Sequence, residues 1–410
     1  MREKKVDHWV NDSEFDDEIG CDNKMNPRQR FYFDHAATSW PKSEKVLHAM
    51  IEFMRDCGVA AGRGGYRSAV EADQVIAMTR KTIASLIDAV SASCISFHAN
   101  GTTALNVGIH GVIRNGDHVV VSAAEHNSVL RPLDDLVSKR NLRLTVVPVG
   151  AEGEVDADRF LAAVEPDTRM AVLTHASNVT GSLQPVAEVG RHLRETSTLL
   201  LCDAAQTFGA IPVSVKDLGV DLLAAPGHKC SGGPLGTAFL YVDPNLHDEF
   251  QPSVFGGTGS QSESLKMPEE MPSKLEPGNL NVPAIVGWSA ALSELPDLKS
   301  REIQNQSVAA MLREGLRSID NLKVYAGEGP LPVVSLAIDD LPPSDFAAIL
   351  DSEFGIEVRA GLHCAALIHS CIGTQEVGTL RISASSMTSE SDLQYVIDSV
   401  KQVTQEVTGS

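Results

Sequence analysis

The chain has 410 residues, 43% of them hydrophobic, and a formal net charge of −20. That length suits two domains built around a common site, and that charge disfavours nucleic acid and anionic membrane as partners. No apolar run approaches the roughly 20 residues that a bilayer span requires, and Met1 to Val10 is charged without a signal-peptide core, so a soluble cytoplasmic protein is expected.

Residues 1–30 carry many charges and few apolar side chains and read as an N-terminal extension. From Arg30 onward strands and helices alternate. Apolar β-type runs fall at Cys94 to His98, His118 to Ser122, Arg143 to Val149, Met170 to Thr174, Thr198 to Cys202, Leu222 to Ala225 and Thr237 to Val242. Helix-period segments such as Asp156 to Val164 and Val186 to Glu195 lie between them. This alternation predicts an α/β domain with a mostly parallel sheet, whose ligands bind at the carboxyl ends of the strands.

Candidate site residues sit at those ends. Gly101-Thr102-Thr103-Ala104 opens a helix after the first run; its N–H groups and hydroxyls fit either an anion site or a simple threonine cap. His126, in Glu125-His126-Asn127-Ser128, stands where an imidazole can stack on a planar ring or serve only as a hydrogen-bonded loop residue. Asp203-Ala204-Ala205-Gln206 ends one strand, and His228-Lys229 follows the next. An acid and a lysine so placed meet the needs of pyridoxal 5'-phosphate: the lysine forms a Schiff base with the aldehyde, and the carboxylate keeps the pyridine nitrogen protonated. Taken alone, the pair also fits a strand-end cap and a solvated surface charge.

Phe255 to Pro277 is rich in Pro, Gly and Ser and predicts a long excursion, either a hairpin or an arm reaching a partner subunit. Helices are expected at Pro283 to Leu295 and Arg301 to Ile319. A smaller α+β unit follows, with strands Val333 to Ile338, Ile356 to Arg359 and Leu380 to Ala384 and helices Ser344 to Phe354 and Ser389 to Thr404. The expected division is 31–285 for a large cofactor-binding domain and 286–410 for a small C-terminal domain. Cys364, in Arg359-Ala360-Gly361-Leu362-His363-Cys364-Ala365, lies on a loop after a strand and suits either an exposed thiol activated by cationic neighbours or a packed structural cysteine. Arg381 at a strand start suits capture of a carboxylate or a surface ion pair. The seven cysteines (Cys21, Cys57, Cys94, Cys202, Cys230, Cys364, Cys371) are odd in number, scattered and without a C-x-x-C pair, which argues against a disulfide framework or a metal site and for a reducing compartment.

The ordered set of motifs resembles the class V aminotransferase family, and within it the group II (SufS-like) cysteine desulfurases. The matching segments are Tyr32-Phe33-Asp34-His35-Ala36-Ala37-Thr38-Ser39 with Pro41, Gly62-Arg63-Gly64-Gly65-Tyr66, Gly101-Thr102-Thr103, Glu125-His126-Asn127-Ser128, Ser177-Asn178-Val179-Thr180-Gly181, Asp203-Ala204-Ala205-Gln206, Gly227-His228-Lys229 and the Cys364 loop, with Arg381 beyond it. The resemblance implies fold type I, the aspartate aminotransferase-like architecture of pyridoxal phosphate transferases, in a homodimer with sites near the subunit interface. It implies Lys229 as the Schiff-base lysine, Asp203 on the pyridine nitrogen, His126 stacked on the ring and Gln206 on its hydroxyl. Thr102, Thr103 and His228 would hold the phosphate, Asn178, Arg359 and Arg381 the substrate carboxylate. Cys364 would be the nucleophile that takes sulfur from L-cysteine, releasing L-alanine and passing the persulfide to an acceptor protein. Selenocysteine lyase, another C–S lyase and an amino acid epimerase are the alternative activities within the family, and a non-catalytic scaffold is the alternative outside it.

Two positions depart from the family pattern, and so does the segment after Cys364, Leu367 to Thr374 followed by Met387-Thr388. Asn279 stands where a threonine often reaches the neighbouring subunit's phosphate, and Pro226 where a Ser or Thr often adds a phosphate contact. Cys371, seven residues beyond Cys364, is either a second sulfur acceptor or a packed thiol.

Overall fold

Strand formation follows the apolar runs. The computed structural model describes residues 30–62, 64–259 and 263–409, so the predicted extension lies outside the described residues except for Arg30, as does Arg63 of the glycine-rich motif. In chain order the described strands are β1 (Phe31–Tyr32), β2 (Ile95–His98), β3 (His118–Ser122), β4 (Arg143–Val147), β5 (Thr168–Thr174), β6 (Leu199–Asp203), β7 (Leu222–Pro226), β8 (Ala238–Val242), β9 (Leu322–Tyr325), β10 (Val333–Ile338), β11 (Ile356–Glu357), β12 (Arg359–Gly361) and β13 (Thr379–Ser383).

Seven of them form one sheet in the order β2-β8-β7-β6-β5-β3-β4. Pairings from β7 through to β4 are parallel, whereas β8 runs antiparallel to both β2 and β7. Val119, Val120, Val121, Leu200, Leu201, Leu222 and Leu223 have no solvent exposure, as expected of strands covered on both faces. Helices Gly101–Val112 and Asn127–Arg140 cover one face; Arg67–Leu86, Val186–Leu193 and Val282–Ser293 cover the other. Pro226 ends β7, where its missing N–H removes least from the ladder. The chain changes direction across the sheet between β3 and β5, which opens a crevice at their carboxyl ends.

Helix Val282–Ser293 places Ile285, Trp288 and Leu292 in the core of this larger sheet. A second core lies between the antiparallel sheet β12-β13-β10-β9 and helices Leu298–Arg317, Pro343–Phe354 and Glu390–Thr408. The N-terminal end of the described chain joins this smaller unit: β1 pairs in parallel with β11, and Phe33 is buried in its core. A small cluster of Ala124, Val179, Ala365, Ile368 and Ile372 spans the junction between the units. Within 255–277 no strand pairing occurs among the described residues, so the excursion is not a hairpin there. No helix among the described residues is long and apolar enough to cross a membrane.

Candidate active site

The junction between the two units encloses a cavity of about 210 Å³ at the carboxyl ends of the large sheet. Thr102, His126, Asn178, Asp203, Gln206, His228, Lys229, Arg359 and Arg381 all line it. Most of these side chains arrive there for one reason: each lies just past a strand end or at a helix start.

At one end the helix Gly101–Val112 begins. Asn100 caps it, its side-chain oxygen accepting from the Thr103 N–H at 2.9 Å and from the Thr103 hydroxyl at 3.1 Å. The Thr103 hydroxyl is thereby engaged by the cap, and Thr103 does not line the cavity. Thr102 does, with its hydroxyl 2.7 Å from the Ser128 hydroxyl, which in turn lies 2.8 Å from His126 Nδ1. Asn279 is exposed and also stands away from this cavity. Ser128 and Asn100 have no obvious mark in the sequence beyond their neighbours.

His126 caps the helix Asn127–Arg140, Nδ1 accepting the Ser128 N–H at 3.0 Å. That bond places the ring proton on Nε2. Burial, followed by the charges of Lys229 and Arg359, pushes the imidazole down to about 4, so it is neutral near pH 7. Glu125 beside it is fully buried and pushed up to about 8 by burial. Its Oε1 accepts from the Ser122 hydroxyl at 2.6 Å and the Thr174 N–H at 2.9 Å, while Oε2 has no partner.

Asp203 and Lys229 form the floor. Burial pushes the Asp203 carboxyl up, and the Lys229 charge opposes that shift. Burial pushes the Lys229 ammonium down, and Asp203 opposes that in turn. Asp203 Oδ1 accepts the Ala205 N–H at 2.9 Å. Gln206 donates to the Ala36 carbonyl at 3.1 Å, and His228 Nδ1 is buried without a partner. The set fits an aromatic aldehyde phosphate: an amine deprived of water, a buried carboxylate, and a helix N-terminus whose first N–H groups lack intrahelical partners. Pro226 contributes only its ring to the cavity wall, packed near Gly101.

The small unit closes the other side. Arg381 is almost fully buried; it donates to the Asn178 carbonyl at 3.0 Å and to Asp34 at 2.5 Å, and its Nε has no partner. Arg359, paired across the strands with Arg381, reaches the Cys364 sulfur at 3.3 Å. Cys364 is half-buried beside the cavity rather than in its wall. Its loop is short and tightly held. His363 and Cys364 both adopt left-handed backbone, with φ of 48° and 58°, which costs non-glycine residues about 1–3 kcal/mol each. The His363 carbonyl accepts from the Asn178 amide at 2.7 Å, and the Cys364 carbonyl from the Asn127 N–H at 2.7 Å. His363 Nε2 lies 3.0 Å from both the carbonyl and the hydroxyl of Thr379. At the start of the loop Gly378 packs so closely on Gly361 that a Cβ there would come within 2.3 Å of its carbonyl. Cys371, on the helix Ala366–Ile372, is half-buried and does not line the cavity.

The family described as aminotransferase class-V matches residues 31–396. A probable cysteine desulfurase of Methanothermobacter thermautotrophicus is 33% identical over 92% of this chain and 95% of its own length. One from Pyrococcus abyssi is 33% identical over 82% of this chain and 84% of its own length. Among solved structures, the apo cysteine desulfurase of Thermococcus onnurineus superimposes with a TM-score of 0.85 at 28% identity, covering 92% of this chain and 95% of that one.

Proposed function

Because the chain belongs to the aminotransferase class-V family, we propose that it is a pyridoxal phosphate-dependent cysteine desulfurase that converts L-cysteine to L-alanine and leaves the sulfur as a persulfide on Cys364. The observation that carries this reading is the Cys364 sulfur held 3.3 Å from the Arg359 guanidinium, beside a cavity floored by Lys229 and Asp203. An epimerase has no use for a thiol in that position.

Thr102, the first turn of Gly101–Val112 and His228 would hold the phosphate, Asp203 the ring nitrogen, Gln206 the ring hydroxyl and Lys229 the aldehyde. When bound, the cofactor supplies an electron sink that acidifies the substrate Cα–H. Lys229, whose ammonium is disfavoured by burial, is suited to take that proton as a base. His126, neutral with its proton on Nε2, would stack on the ring and donate one hydrogen bond. Arg381 and Arg359 supply the positive charge that a substrate carboxylate needs. Arg359 donates a hydrogen bond to the Cys364 sulfur, whose nucleophilic form is the thiolate. The thiolate attacks the substrate sulfur: an S–S bond forms, the Cβ–S bond breaks, its electron pair stays with carbon, and carbon takes a proton. No external oxidant is required. The persulfide is then passed to an acceptor protein.

A homodimer is part of this reading. Leu47, Ile51 and Met54 recur at helical spacing on Glu44–Asp56 and are 42%, 52% and 55% exposed, an apolar stripe of the kind a second subunit covers.

The test is release of sulfide and alanine from L-cysteine with cofactor and reductant present. Wild type is expected to give equimolar products, and Cys364→Ala to lose at least about 100-fold in rate while still binding cofactor. A wild-type protein that binds the cofactor and releases neither product, even in the first turnover, would overturn the proposal.

A further inference from the structure

Behind Lys229 lies a second, larger cavity of about 490 Å³. It opens between the segment Arg30–Ser43, the turn Cys230–Gly232 and Ser385–Thr388. Trp40, Leu295 and Met387 give it apolar surface, while Lys42 and Arg301 give it charge.

Those two cations have only neutral acceptors. Lys42 Nζ donates to the Ser39 hydroxyl at 2.7 Å and the His228 carbonyl at 2.8 Å. Arg301 donates to the Gly209 carbonyl at 2.6 Å, the Cys230 carbonyl at 2.9 Å and the Ser386 hydroxyl at 3.2 Å. Burial pushes Lys42 down to about 8 and lowers Arg301 as well, and the Cys230 thiol is the group that opposes each shift. His35 on the same wall has a buried Nδ1 without a partner. Two carboxylates, Glu294 and Asp392, also line the cavity. Glu294 is engaged by the Ser43 hydroxyl at 2.5 Å, and neither acid contributes to the shift of Lys42 or Arg301. In a chain with 54 acidic and 34 basic residues, a pair of desolvated cations without a counter-charge calls for an anion. Buried charges are otherwise paired.

We propose that this rear cavity binds a small organic anion, its carboxylate or phosphate pairing with Lys42 and Arg301 and its apolar body lying against Trp40 and Leu295. A pocket of about 50 Å³ shares His35, Cys230 and Arg301 with this cavity and Gln206 with the first one. A bound anion also competes for Lys42 with the carbonyl of His228, the residue before Lys229. That carbonyl accepts from the Ser39 N–H at 3.0 Å and the Thr38 hydroxyl at 3.0 Å as well.

The experiment is calorimetric titration of the full-length, cofactor-loaded protein with phenyl phosphate and, separately, with phenol; the loaded cofactor keeps the probe out of the phosphate end of the first cavity. Phenyl phosphate is expected to bind saturably once per chain, and phenol at least about tenfold more weakly. Lys42→Met is expected to weaken phenyl phosphate at least about tenfold while melting like wild type without ligand. No saturable binding, equal affinity for phenol, or a folded Lys42→Met variant that binds like wild type would overturn the proposal. If Lys42→Met does not fold, the comparison with phenol decides.

Discussion

Thr102 and Thr103 are adjacent hydroxyls of the same kind with different employment. Thr102 faces the cavity and bridges to Ser128, whereas Thr103 is spent on the Asn100 cap. Thr102→Val is therefore expected to weaken cofactor binding about five- to tenfold, the equivalent of one hydrogen bond. Thr103→Val is expected to leave that affinity within about twofold and to lower helix stability by at most about 1 kcal/mol, since the N–H half of the cap survives. Equilibrium dialysis of cofactor against both variants checks this; equal losses would return Thr103 to the cavity. The distinction was not legible in Gly101-Thr102-Thr103, because a cap and a ligand contact ask for the same hydroxyl. Asp203 and Lys229 were legible as neighbours, since Asp203 closes β6 and Lys229 lies three residues past β7, both at the carboxyl edge of the sheet. Glu125 and Ser128 were not: their places depend on Ser122 and Thr174 N–H in one case and on His126 Nδ1 in the other.

At the scale of elements, the excursion after β8 returns to the body at Glu276. Its carboxylate takes two bonds from Arg80, at 2.7 and 3.0 Å, and the Phe97 N–H at 2.6 Å. Arg80 also lies over the Phe97 ring at 4.7 Å, and both charged side chains are about nine-tenths buried. Glu276→Ala leaves that guanidinium buried without its partner and is expected to cost about 3–5 kcal/mol, read as a lowered denaturant midpoint at unchanged slope. A loss below about 1 kcal/mol would mean that the returning segment is not anchored there. The large-sheet strands match their apolar runs to within about two residues, because burial on both faces leaves an uninterrupted signal in the inner strands, while the edge strand β4 is largely exposed. Ile356 to Arg359 reads as one strand in the sequence and forms two, β11 pairing with β1 and β12 with β13. The short β1 and the helix Ala366–Ile372 carry too few residues for a period to show.

Across the whole molecule, burial of imidazoles sets the response to acid. His35, His98, His126, His175 and His228 are all held to about 4, against about 6.5 in an unfolded chain. Above pH 6.5 they are neutral in both states and their contribution is complete. As pH falls from 6.5 toward 4 the unfolded chain takes up protons that the native state refuses, so stability is lost at about 1.4 kcal/mol per pH unit for each histidine. Glu125, pushed to about 8, and Asp221, pushed to about 6, act in the opposite sense: their stabilisation is complete in acid and is lost as pH rises through those values. The histidines outnumber them. The melting temperature of the cofactor-free protein is expected to fall continuously between pH 6.5 and 4, and a flat profile over that range would contradict the burial of these rings.

The pairing of β1 with β11 also fixes an order of events during synthesis. Every strand of the large sheet has left the ribosome once residue 242 has emerged, so that sheet can assemble while the chain is still growing. Phe31 must wait for Ile356, and Phe33 for the core around it, through most of translation. For that interval the first described segment of the polypeptide is an apolar end without a berth, and chaperone capture of the nascent chain should concentrate there.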